Sequence, residues 1–254
     1  MNNTPTDKEM KSLFERLRMV DIIDQYGELT QQATQEQWPY ATYLAEVLKI
    51  EESGRTARRI ERYERLSGLP YSKRFDSFDQ KELSLDIRMK IDVLQRGDFV
   101  NRHENILLFG QPGTGKTHLA AALGHELIRQ GKKVYFALCS TLVQDLLRAK
   151  ESFSLPKKLK QLSRYDAIII DEIGYIQQSR DEMEVLFTLL ADRYERGSFI
   201  VTSNLPFAKW EHIFKDKMLA AAAIDRLVHH SIILKLDGEN YRLKSLKRSK
   251  IKKK

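Results

Sequence analysis

The eight residues from Gly110 to Thr117, GQPGTGKT, have the spacing G-x-x-x-x-G-K-[ST], and that spacing has a chemistry. Glycines at 110, 113 and 115 let the backbone curl until successive N–H groups face inward as donors to phosphate oxygens. A helix starting near Lys116 adds the positive end of its dipole. In this arrangement Lys116 reaches the β- and γ-phosphates of a nucleotide, and the Thr117 hydroxyl is placed to ligate Mg²⁺. The segment lies after an apolar run, NILLF, and before a helix-forming run, HLAAALGHELIRQ. That is the strand–loop–helix setting it needs; outside such a setting it would be a glycine-rich turn with no ligand. The expected phosphate-binding set is Gly110, Gln111, Pro112, Gly113, Thr114, Gly115, Lys116, Thr117 and His118.

Three later segments carry groups that would complete such a site. The run AIIIDE ends in Asp171 and Glu172. Asp171 is placed to hold Mg²⁺, directly or through water, and Glu172 to orient and deprotonate an attacking water. The alternative is a pair of acids that merely caps a strand. The run FIVTSN ends in Asn204, whose amide could sense a γ-phosphate; Asn is equally at home as a turn residue ahead of Leu205-Pro206. Farther on, DKMLAAAAIDRLVHH carries Asp225-Arg226. With the sheet order we suppose, Arg226 cannot easily reach its own nucleotide but could reach a neighbour's, as an arginine finger in trans. Otherwise Asp225 and Arg226 are a surface pair.

These residues need a scaffold that brings strand ends together. Apolar runs at 105–109, 133–138, 166–170, 198–202 and 231–236 show little polar alternation, as expected of strands covered on both faces. Helical stretches separate them, giving the βαβ rhythm of a parallel α/β sheet. Residues 1–70 read as a small all-helical domain. Leu13, Leu17 and Val20 recur at helical spacing, as do Tyr40, Leu44, Val47 and Leu48. Gly27 and Gly54 are expected at turns. Arg55, Arg58, Arg62 and Arg65 fall near one helical face, either as ion pairs on a surface helix or as a guanidinium row for phosphates or a partner. Residues 71–80 read as a linker that Phe75 and Phe78 could fasten to the next domain.

Composition sets the outer limits. The chain has 254 residues, 42% of them hydrophobic, which is enough for a sizeable core and excludes wholesale disorder. Its one cysteine, Cys139, excludes an intrachain disulfide and a cysteine-based metal site. No apolar run approaches membrane-spanning length and no hydrophobic signal segment stands at the start, so a soluble, cytoplasmic protein is expected. The net charge is +8, and it is concentrated in residues 241–254, which hold eight Lys/Arg and no acid. Such a tail suits a polyanion, nucleic acid or a membrane surface, or is simply a solvated end.

Taken in order and spacing, GQPGTGKT, IIIDE, VTSN and AIDRL resemble the AAA+ ATPases, and within them the DnaA/DnaC initiator–loader clade. The stretch STLVQDLLRAKESFSLPKKLKQLSRYD resembles the extra helix of that clade. The resemblance is closest to the IstB-like transposition helper ATPases, and extends through LRMVDIIDQYGEL, YATYLAEVLKIE, RTARRIERYERLSGLP, FDSFD and NYRLK. It implies an α/β P-loop AAA+ domain at 81–238, built on a central parallel five-stranded sheet flanked by helices. The helical domain precedes it and a basic tail, 239–254, follows. It further implies binding of ATP with Mg²⁺, hydrolysis to ADP and phosphate, and homo-oligomers with composite sites. Such oligomers assemble on DNA without strong sequence preference, help select the target and stimulate a transposase.

In the clade the extra helix faces DNA, which makes Arg148, Lys150, Lys157, Lys158 and Lys160 candidate phosphate contacts, unless they form an ordinary solvated face. Only 18 residues follow Leu236, so the C-terminal lid of many AAA+ proteins does not fit and Arg242 is the one late sensor candidate. ATP binding and oligomerisation should therefore be linked. The rival within the fold is a DnaC-like replicative helicase loader. Outside it, a small-molecule kinase or ligase would show no DNA stimulation, and a DNA-coating protein with a decayed site would lack the intact loop and carboxylates.

Overall fold

Thr6 and Glu9 exchange hydrogen bonds in a capping box that starts α1 (Asp7–Arg16). The helix stops where Arg18 turns left-handed, at φ 55°. There the Met19 N–H donates to Phe14 O at 2.8 Å and the Arg18 N–H to Glu15 O at 2.9 Å, a Schellman turn. In this computed structural model, residues 5–80, 83–174, 179–206, 209–210 and 217–237 are described. The expected basic tail, Arg242 and NYRLK lie outside the described residues.

The chain divides into two compact units, Met1–Arg62 and Tyr63–Lys254. The first is helical: α1, α2 (Tyr26–Gln35) and most of α3 (Tyr40–Ser67). Its core is Phe14, Ile22, Tyr26 and Val47, which shares only Val47 with the set that periodicity suggests. Leu13, Leu17, Val20, Tyr40, Leu44 and Leu48 are exposed. The early end of α1 explains part of this, because Leu17 and Val20 lie past it and share no helical face with Leu13.

Neither glycine sits at a turn. Gly27 lies in the first turn of α2, and α3 runs straight through Gly54. A β-carbon at Gly54 would stand 2.0 Å from Asp21 Cγ, so this glycine permits close packing rather than a bend. The arginine row is partly spoken for within the unit. Arg55 Nε donates to Glu51 Oε1 at 2.7 Å, and Arg58 pairs with Asp21. Glu51, only 4% exposed, also accepts from the Asp21 N–H. Arg62 and Arg65 remain exposed.

In the second unit a single 3-10 turn at Phe75–Ser77 leads to α4 (Leu85–Gln95) and α5 (Asp98–Asn101). Then comes the alternation the sequence predicts: β1 (Asn105–Gly110), α6 (Lys116–Arg129), β2 (Val134–Leu138), α7 (Cys139–Glu151), α8 (Leu155–Leu162), β3 (Ala167–Ile173), α9 (Arg180–Arg193), β4 (Ser198–Ser203), α10 (Lys217–Val228) and β5 (Ser231–Leu236). The sheet is five-stranded and parallel throughout, in the order β2-β3-β4-β1-β5. One face packs α7, α9 and α10 around Leu107, Ile168, Ile170 and Val201. The other carries α6, where Gly124 lies against Ile169. β2 and β5 are edge strands, and there the apolar Leu138 and Ile233 are exposed.

Candidate nucleotide site

Because every strand runs the same way, the C-terminal ends of β1, β3 and β4 lie side by side. Phe109 pairs with Ser203, and Ile173 with the same Ser203. A crevice beyond the carboxyl ends of such strands is where α/β sheets bind ligands. Here it is a cleft of about 430 Å³ lined by Lys73, Pro112, Gly113, Gly115, Lys116, Thr117, His118, Glu172, Thr202, Ser203 and Asn204.

The loop from Gly110 to Gly115 turns on positive φ at three glycines: 155° at Gly110, 85° at Gly113 and 93° at Gly115. Gly110 could be no other residue, since a β-carbon there would meet Leu236 O at 2.4 Å. Behind the loop, Thr114 Oγ1 donates to Gln111 O at 2.9 Å. Lys116 Nζ donates to Gly110 O at 2.8 Å and Gln111 O at 2.9 Å. The ammonium is thus held on the loop's own carbonyls, a short rotation from where phosphate oxygens would lie. Gly110, Gln111 and Thr114 shape the loop from behind, while Pro112, Gly113, Gly115 and Lys116 to His118 face the cleft.

The segment 71–80 reaches this site. Phe78 is buried, and its Cε2 lies 3.1 Å from where a Gly115 β-carbon would stand. Its ring meets the His118 ring at 5.1 Å. His118 Nε2 lies 2.9 Å from Arg74 O and 3.2 Å from Ser77 Oγ. Burial pushes the His118 imidazole below its usual range, so it stands neutral beside the loop near pH 7.

β3 ends irregularly. Between Ile170 and Ile173 its register against β4 slips by one residue, a bulge in which Glu172 takes φ 64°. The bulge turns Glu172 out into the cleft while Asp171, 2% exposed, stays behind it. Thr202 holds both: its Oγ1 donates to Asp171 Oδ1 at 2.6 Å and accepts from the Glu172 N–H at 2.8 Å. Sequence reasoning passed over Thr202, although its place beside Asn204 in VTSN was the available signal. Thr202→Val should destabilise the fold by about 1–3 kcal/mol, the cost of leaving buried polar partners unmet. Chemical denaturation of the variant against wild type measures it.

Arg226 stands elsewhere. It lies on the last turn of α10, close to Asn105 at the opposite end of the sheet from the loop. The length of β1, roughly 17 Å at ~3.3 Å per residue, separates the two. Its guanidinium sits 4.7 Å above the Phe187 ring and donates to Ala222 O at 3.0 Å.

The five basic candidates occupy α7 and α8. Lys150 pairs with Glu184 at 3.0 Å, and Lys158 and Arg148 approach Asp145 at 3.6 and 3.9 Å. Lys157 and Lys160 are exposed with no ion-pair partner among the described residues. A residue sequence reasoning did not weigh, Arg193, is 2% exposed and donates to Leu162 O and Tyr165 O, both at 3.0 Å. It ties the end of α8 to α9, and burial holds its guanidinium down to about 10.

The chain matches the IstB-like ATP binding protein family over residues 12–249. It belongs to that family. An IstB-like relative named as an ATP-binding protein of insertion sequence IS5376, from Geobacillus stearothermophilus, is 40% identical over 230 residues, 90% of this chain and 91% of the relative. Its counterpart in IS21 of Pseudomonas aeruginosa is 39% identical over 241 residues, 95% of this chain and 91% of the relative. Among solved structures, the DnaC helicase loader superposes with a TM-score of 0.55 at 20% identity, covering 66% of this IstB-like chain and 98% of the loader. That likeness concerns the fold: the P-loop AAA+ sheet of the initiator–loader proteins. No helix of the described residues is long and apolar enough to cross a membrane.

Proposed function

We propose that this IstB-like protein hydrolyses ATP to ADP and phosphate, and that its ATP-bound copies assemble side by side on DNA to help select a target and stimulate the transposase of its insertion sequence. Residues 1–70 would serve assembly, partners or DNA, and 81–238 the ATPase. The carrying observation is the split of the machinery: Lys116, Thr117, Glu172 and Asn204 converge on one cleft, while Arg226 lies half-buried over Phe187 at the far end of the sheet. One copy therefore offers a site and a finger that cannot meet each other, whereas head-to-tail neighbours can join them.

The donor set fits a hard cation, since the Thr117 hydroxyl lines the cleft and the Asp171 carboxylate lies just behind it. Mg²⁺ bound there would neutralise charge on the β- and γ-oxygens. Lys116 leaves its loop carbonyls for the phosphates. Glu172 takes a proton from the water attacking the γ-phosphorus, and Asn204 orients that water against the γ-phosphate. The bond to the β-phosphate oxygen breaks, and ADP and phosphate leave. Lys157 and Lys160, with the three paired cations, would hold the DNA backbone without reading sequence. The insertion-sequence names of the relatives favour this reading over a helicase loader.

Calorimetric titration with Mg·ATP, with and without duplex, tests it. Wild type should bind, and its phosphate release should rise with DNA. Lys116→Ala should lose affinity by 100-fold or so, about 2.7 kcal/mol. No heat from wild type in either condition would overturn the proposal.

A further inference from the structure

Phe153 is the most exposed large apolar side chain among the described residues, 96% open to solvent. It stands where the backbone least welcomes it. Just past α7, the Ser154 N–H donates to Ala149 O at 2.7 Å and the Phe153 N–H to Lys150 O at 3.1 Å. These bonds define a Schellman turn with Phe153 at its left-handed position, which usually takes glycine. Phe153 has φ 54°, and the other described non-glycine residues with positive φ are Arg18, Gln37, His103, Glu172 and Glu195, all polar. A side chain bearing a β-carbon is strained there, and persistent strain of this kind gathers at functional positions. The ring contributes nothing to the core, so the fold itself gives no reason for it.

Its setting gives one. Residues 148–160 hold five cations and a single acid, Glu151. Two of the cations, Lys157 and Lys160, are exposed and free of acid partners among the described residues; both lie on the helix that follows the ring, Lys157 in its first turn and Lys160 in its last. The hairpin is stiff. Lys158 of α8 reaches Asp145 of α7, Ser152 Oγ and Ser154 Oγ lie 2.8 Å apart, and Arg193 pins the far end of α8. A flat apolar ring carried into solvent on a hydrogen-bonded turn of a cation-rich segment matches a ligand that offers flat apolar faces strung on phosphates.

We propose that Phe153 is a wedge that inserts between neighbouring base pairs of duplex DNA, while Lys157 and Lys160 hold the flanking phosphates. This rests on the DNA reading above and adds to it, because a wedge unstacks and kinks DNA where backbone contacts alone would coat it. Insertion also tolerates any sequence, since every base has a face to stack on.

Phe153→Gly tests the wedge without risking the fold, because glycine relieves the left-handed strain. Full-length wild type, Phe153→Gly and Lys157→Ala/Lys160→Ala are compared with Mg·ATP on closed circular DNA. Linking number is read after topoisomerase treatment, and affinity for linear duplex is read across salt. Wild type should change the linking number. Phe153→Gly should melt no lower than wild type, bind roughly 5- to 100-fold more weakly, keep the salt slope and leave the linking number unchanged. The double lysine variant should lower the salt slope by about 2.

If Phe153→Gly matches wild type in affinity and linking number while the lysine variant weakens, the wedge is wrong and DNA binding by this hairpin stands. If neither variant changes binding, the DNA reading of the hairpin falls as well. If Phe153→Gly instead fails to self-associate without DNA, the ring belongs to a protein contact and the wedge is overturned.

Discussion

Glu172→Gln should bind Mg·ATP with near wild-type affinity, stay assembled on DNA, and release phosphate roughly 10²–10⁴-fold more slowly. The size of the effect follows from what the substitution leaves alone. Glutamine has the shape of glutamate, so the bulge between Ile170 and Ile173, the φ of 64° and the N–H bond to Thr202 all persist. Lys116, Thr117 and the loop amides are untouched, so binding is preserved. What disappears is the carboxylate that accepts the water's proton. The exposure of Glu172 to the cleft, within an otherwise buried strand end, supports that role, because a carboxylate that takes a proton from water must reach that water. Phosphate release at saturating ATP, measured beside a nucleotide-binding titration, decides the matter. Turnover within twofold of wild type would remove Glu172 from this role.

The contrast between these two neighbouring acids shows what the sequence could and could not convey. That β3 would end in two carboxylates was legible from AIIIDE, because an apolar run that stops at charge marks where a buried strand meets the surface. Which acid faces the cleft was not, since strand alternation alone gives opposite faces without saying which is which. The answer depends on one extra residue in β3 relative to β4, and on Thr202 fastening both halves of the bulge. The five strands were legible to within a few residues because uninterrupted apolar runs in a parallel sheet carry a strong signal.

The helical unit was harder to read. Periodicity marks an apolar face but does not distinguish a buried one from an exposed one. Leu13, Tyr40, Leu44 and Leu48 carry the pattern yet face solvent; of the residues in that pattern Val47 alone joins the core, beside Phe14, Ile22 and Tyr26. Gly54 misled for a different reason. Its close approach to Asp21 is a tertiary fact, invisible from its neighbours in α3. The reach of Phe78 to the phosphate loop could be anticipated as an apolar anchor in a polar linker, though its contact with His118 could not.

Arg226→Ala should also bind ATP and fail to hydrolyse it, losing up to roughly 10³–10⁵ in rate if the guanidinium acts as a finger. The fold should tolerate the change, because what it removes is one contact over Phe187, worth about 0.5–1 kcal/mol at a partly exposed site, and one bond to a helix carbonyl that already serves α10. A lost cap or collapsed helix would instead lower binding and melting temperature together. Mixing separates a trans role from a cis one. Arg226→Ala keeps its own cleft intact, and Glu172→Gln keeps its own finger and its capacity to assemble. Neither protein alone turns over, but a cleft of the first beside a finger of the second is complete. In an equal mixture of head-to-tail neighbours, roughly a quarter of the sites join in that way, so about that share of wild-type phosphate release should return. Recovery should peak near equal proportions and vanish at either extreme. An arginine acting within its own subunit would show no recovery at any ratio, and the length of the sheet between Arg226 and Lys116 would then need a different explanation.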